Sequence, residues 1–113
     1  MSEPQTPEHH CHAHGCTRAV PPKLFMCKSH WYALPKPVRD AVWREYRPGQ
    51  ERDKRPSDRY MAVQRYAITL LAFKPNDEEA AKVCAYYLKQ AQMWRERAIA
   101  AGVGDPLKGL VPS

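Results

Sequence analysis

Four residues place the tightest constraint on how this chain can fold: Cys11, Cys16, Cys27 and His30. Three thiolates and an imidazole form a soft donor set that suits tetrahedral Zn²⁺. Their order favours a single site. Cys11 and Cys16 flank a short loop in which Gly15 can turn left-handed and aim backbone amides at a thiolate. Ala19-Val20 and Leu24-Phe25-Met26 are brief apolar runs around Pro21-Pro22-Lys23, the pattern of a small hairpin. Cys27 and His30 are three residues apart, so both project from one face of a helix's first turn.

Two other readings compete with a single Cys3His site. Disulfides are one, but residues 1–10 are polar and lack the apolar core of a signal peptide. Thiols in such a chain are expected to stay reduced, which favours metal over pairing. In the other, His30 is a surface histidine and His12 or His14 supplies the fourth ligand; the sequence leaves that exchange open. A filled Cys3His shell has no open position for water, so the zinc is expected to be structural. Trp31 and Tyr32 directly follow the last ligand and are expected to cover it.

Knuckle, hairpin and a helix carrying the last two ligands together resemble the treble-clef zinc finger. Four residues separate Cys11 from Cys16, where a typical knuckle has two. The run Gly15-Cys16-x-x-x-Val20, Phe25-Met26-Cys27-x-x-His30-Trp31, then Leu34-Pro35-x-x-Val38-Arg39-x-x-Val42-Trp43-x-x-Tyr46-Arg47-x-Gly49-Gln50 resembles small zinc-binding proteins of bacteriophages and prophages. The resemblance implies Cys11, Cys16, Cys27 and His30 as ligands and the cytoplasm of a bacterial host as the setting. It says nothing about the second half of the chain.

That second half reads as helix. Residues 1–10 are expected as a disordered tail, and residues 11–50 as the zinc module with a short basic helix from Pro37 to Arg47. Val38, Ala41, Val42 and Tyr46 form the apolar stripe of that helix. Charged residues 51–55 make a joint. Residues 56–102 form an antiparallel helical hairpin. Its first helix is capped by Ser57 or Asp58 and runs to Phe73, with Tyr60, Val63, Ala67, Leu70 and Leu71 on one face. Its second follows a cap at Asn76 and runs to Ala101. Ala80, Cys84, Tyr87, Ala91, Trp94, Ala98 and Ala101 alternate at spacings of 4 and 3, a coiled-coil-like seam. Cys84 lies in that seam as a small buried hydrophobe. The seam is narrow enough to meet the basic helix or a second copy of the chain, so a homodimer is one expectation. Residues 103–113 are expected as a tail. The fold class is mainly α: a treble-clef-like zinc module, a short helix and a helical hairpin whose core is separate.

The formal charge of +6 is concentrated in residues 11–60, where eleven lysines and arginines face five acids. That balance suits an anionic partner as readily as plain solubility. No apolar run is long enough to span a membrane. Residues 18–26 lack the histidine that a treble-clef nuclease would need, and there is no glycine-rich phosphate loop, so no enzyme is expected. On the basic helix, Arg39, Trp43 and Arg47 are spaced four apart, and Lys36 and Arg44 extend the positive field. A tryptophan between arginines can stack on a base while its neighbours hold phosphates. DNA or RNA is the first expected partner of this face, and a host protein such as a polymerase, replication or defence component is the second.

Overall fold

The computed structural model describes residues 10–21, 24–47 and 56–110. The expected tail over residues 1–9, the Pro22-Lys23 centre of the expected hairpin, the helix stop at 48–50 and the joint at 51–55 lie outside the described residues. The described chain is mainly helical, with four helices in the order α1 (Lys28–Ala33), α2 (Lys36–Glu45), α3 (Asp58–Ala72) and α4 (Glu78–Ala100).

Local signals account for most of these boundaries. Pro35 and Pro37 separate α1 from α2, because Leu34 and Pro35 are extended and the proline nitrogen at the start of α2 has no helical bond to make. Ser57 caps α3, its hydroxyl accepting from the Tyr60 amide at 3.0 Å. The cap of α4 is Asp77, whose carboxylate accepts from the Ala80 amide at 3.0 Å, and not the expected Asn76. Asn76 instead sits at φ 59°, a left-handed conformation that asparagine tolerates, and it supplies the reversal between the two helices. Glu78 and Glu79 then fall in the first turn of α4, where the helix dipole favours acids.

The hairpin packs as the periodicity predicts. Val63, Ala67, Ala91 and Ala98 are fully buried, with Tyr60 and Ala80 close to it. Small alanines on α4 let α3 approach closely, so the seam is filled within the chain, and α2 packs on α3. Cys84 is half-buried and its thiol points at the Thr69 carbonyl oxygen, 3.6 Å away.

Two expectations about packing are overturned. The core is not divided: Cys11, Ala13, Phe25, Met26 and Cys27 belong to the same buried cluster as Val38, Ala41, Val42, Val63 and Ile68. A module this small has too few apolar residues for its own interior, so it borrows α2 and α3. Nor are residues 105–110 a loose tail. Leu107 is 2% exposed, and Tyr66 donates from its hydroxyl to the Leu110 carbonyl at 3.0 Å. Asp105 receives both Arg95 nitrogens at 2.9 and 2.7 Å. Pro106 and Leu107 give this segment an apolar anchor that sequence periodicity does not register.

Candidate metal centre

The loop that carries the first two cysteines is closed by main-chain bonds. The Cys11 amide donates to the Arg18 carbonyl at 2.9 Å, and His10 and Ala19 form an antiparallel bridge. The Cys16 amide donates to the Ala13 carbonyl at 3.0 Å, a tight turn that requires Gly15 at φ 81°. The His12 amide reaches the Phe25 carbonyl at 3.1 Å, which ties the loop to the segment before α1. Among the described residues that single bridge is the only β pairing, so the expected hairpin is not formed as two strands.

Cys27 is the N-cap of α1 and His30 lies one turn inside it, so helix geometry alone sets this pair side by side. The His30 Nδ1 stands 3.2 Å from the Cys27 Sγ and 3.5 Å from the Cys11 Sγ. The ligand atoms of Cys11, Cys16, Cys27 and His30 all lie within 4.8 Å of one another. Tetrahedral zinc with ~2.3 Å bonds to sulfur and ~2.1 Å to nitrogen needs sulfur–nitrogen edges of ~3.6 Å. The quartet therefore has the donor chemistry and the spacing to hold a metal ion. All three cysteines are free thiols, and Cys11 and Cys27 are buried.

Burial and neighbouring groups shift the two buried thiols in opposite directions. Burial pushes the Cys11 thiol up to about 11, against the backbone amides of Cys27 and Ala13 that favour its thiolate. Burial also acts upward on Cys27. There the His30 amide, the His30 ring and the neighbouring sulfurs outweigh it and hold the thiol at about 6.

The exchange of ligands that the sequence left open is decided by packing. The His12 ring lies against Phe25 with centroids 5.3 Å apart, and His14 meets Tyr87 edge-on at 6.0 Å. Only His30 joins the sulfurs. Trp31 packs against the core, but Tyr32 is 62% exposed and does not cover the site. Phe25 and Met26, next to Cys27 in the chain, are buried in the same core.

The residues of the expected partner face are only partly brought together. Helix α2 ends at Glu45 and Tyr46 is extended, so Arg47 leaves the helical row of Arg39 and Trp43. Arg39 is half-buried: its Nε donates to the Leu34 carbonyl at 3.2 Å and its guanidinium lies over Tyr32 at 5.1 Å. Arg44 pairs with Glu45 at 2.8 Å and reaches the Pro106 carbonyl at 3.4 Å. Lys36 forms an exposed pair with Asp40 at 2.8 Å. Trp43 is 46% exposed. It meets Trp31 and Tyr46 edge-on, at 6.2 and 5.5 Å between centroids. Lys28, at the start of α1, was not singled out by sequence; it lines the same aromatic surface, and only tertiary packing reveals this. No described helix is long and apolar enough to cross a membrane. Comparison with known proteins finds no matching family model, no matching curated protein and no matching solved structure.

Proposed function

We propose that this is a non-enzymatic protein in which a structural zinc on Cys11, Cys16, Cys27 and His30 holds a basic, aromatic face for contact with nucleic acid. The zinc module is a reduced treble-clef-like unit, a closed loop followed by a helix that carries the last ligand. The setting is that of a phage or prophage accessory protein, as the sequence resemblance implies. The observation that carries the reading is the position of Trp43, nearly half exposed and buttressed edge-on by Trp31 and Tyr46, with Lys28 lining the same groove and Lys36 and Arg39 on the same helix as Trp43. Exposed aromatic rings next to lysines and arginines supply stacking and phosphate neutralisation together. Arg39 and Arg44 also serve the fold through their carbonyl bonds, so charge reversal there would confound a binding test.

Lys28→Glu combined with Lys36→Glu separates the two effects, since both side chains are exposed and the Lys36–Asp40 pair contributes little. The double variant should melt within a few degrees of the parent yet lose most affinity for a labelled oligonucleotide. Parent affinity should fall steeply between about 50 and 200 mM salt as counterions are released. Unchanged binding by the variant, or no binding at low salt, would defeat the reading and leave a host protein as the partner of this face.

A further inference from the structure

Beside the metal centre lies an open groove of about 440 Å³, within the ~300–1,000 Å³ range of small-molecule sites. Its aromatic wall is a relay of rings set edge to face. Trp31 meets Trp43 at 75°, Trp43 meets Tyr46 at 76°, and Tyr46 meets Tyr60 at 65°. Of these rings Trp43 is the exposed one, and Tyr32 at the rim is exposed as well. Phe25, Met26 and Val42 form an apolar floor, and Tyr32 stands at the rim under the Arg39 guanidinium. Among the described residues the lining contains no carboxylate, and its one charged member is Lys28, which has no ion-pair partner. Apolar walls that bind flat faces, with one cation and no acid among the described lining residues, define the chemistry of the occupant: a flat, apolar-faced ring attached to an anion.

Resting on the nucleic-acid reading above, we infer that the groove takes an unpaired base, so that the protein binds single strands in preference to duplex. Duplex bases are already stacked and hide their faces, and a double helix is too broad to enter a concave site beside α1 and α2. A single strand can turn one base into the groove, against Trp43 and Trp31, while the adjoining phosphate meets Lys28. Stacking makes no use of the 2′-hydroxyl, so DNA is a sufficient probe.

Zinc-loaded full-length protein would be titrated at low salt with a labelled single strand of about twelve nucleotides. A hairpin duplex of the same sequence would be titrated in parallel. The single strand should bind at least about tenfold more tightly and quench tryptophan fluorescence. Trp43→Ala should weaken single-strand binding by about five- to a hundredfold and leave duplex binding unchanged, while Trp43→Phe retains most of the affinity. If Trp43→Ala melts early, Tyr32→Ala at the exposed rim reports the same preference with less effect on the fold. Equal binding of both probes, insensitive to Trp43→Ala, would overturn the inference while leaving phosphate-led binding intact. Failure of both probes to bind would defeat this inference and the nucleic-acid reading together.

Discussion

Arg59 grips Glu45 with two hydrogen bonds, 2.9 Å from Nε and 2.7 Å from Nη2. Its remaining nitrogen donates to the Val103 carbonyl at 2.7 Å. One guanidinium thereby joins the end of α2, the start of α3 and the chain beyond α4. Gly104 lies so close that an added Cβ would meet this nitrogen at 3.2 Å. The pairing makes the half that carries the Cys/His cluster and the hairpin one unit, in addition to their shared apolar core.

The first prediction concerns acid. The Arg59 hydrogen bonds hold the Glu45 carboxyl below its ordinary range against desolvation, and Arg95 does the same for Asp105. A carboxyl depressed in the folded state stabilises above its unfolded pKa and loses that contribution as pH falls through the folded value. The contribution of these two pairs should therefore be flat near neutrality and decline below the ordinary carboxylate range. Glu45→Gln should cost about 1–3 kcal/mol at pH 7 and flatten the acid limb of a denaturant–pH series. An unaltered limb would mean that the pair contributes nothing to folding.

Metal removal is the second. Because Cys11 and Cys27 sit in the same core as Val63 and Ile68, chelation should loosen the hairpin along with the loop. Purified protein should carry one zinc per chain by elemental analysis. Cys27→Ser and His30→Ala should each release the metal and lower the melting temperature, whereas His14→Ala should keep it. Retention of native near-UV circular dichroism after chelation would show that the core forms without metal.

Leu107 provides the third. It is 2% exposed in a segment that carries no helix. Leu107→Ala should destabilise by about 2–5 kcal/mol, as large-to-small changes in a core do. Denaturant unfolding would measure it, and a loss under about 0.5 kcal/mol would mark the segment as undocked.

Gly15 is the fourth. Its φ of 81° disfavours any side chain, although a Cβ there would meet nothing within 4 Å. Gly15→Ala should cost about 1–2 kcal/mol through backbone strain alone. It should also weaken zinc binding in a chelator competition, because the strain falls between two ligands. Identical zinc retention and stability would mean that the loop adopts another turn.

What the sequence determined by itself lies within one or two turns of chain. Cys27 and His30 are neighbours because three residues span most of a helical turn, and Gly15 turns left-handed because only glycine does so without strain. Ser57, the paired prolines and the alternating alanines of α4 set helix starts, breaks and a buried face by local rules. Asn76 marks the limit of such rules: asparagine and aspartate both suit a cap, and only the reversal between helices assigned the cap to Asp77. The tertiary structure decided what no local spacing encodes. It brought His30, and not His12 or His14, within reach of the three sulfurs, while the His12 and His14 rings lie against Phe25 and Tyr87. It turned Tyr32 outward, docked Leu107, and merged the Cys11–Cys16 loop with the hairpin core. The physical reason is reach: capping, turn strain and helical spacing act between residues near in sequence. The burial that united Cys11 with Val63 acts between surfaces that are neighbours only once the chain has folded.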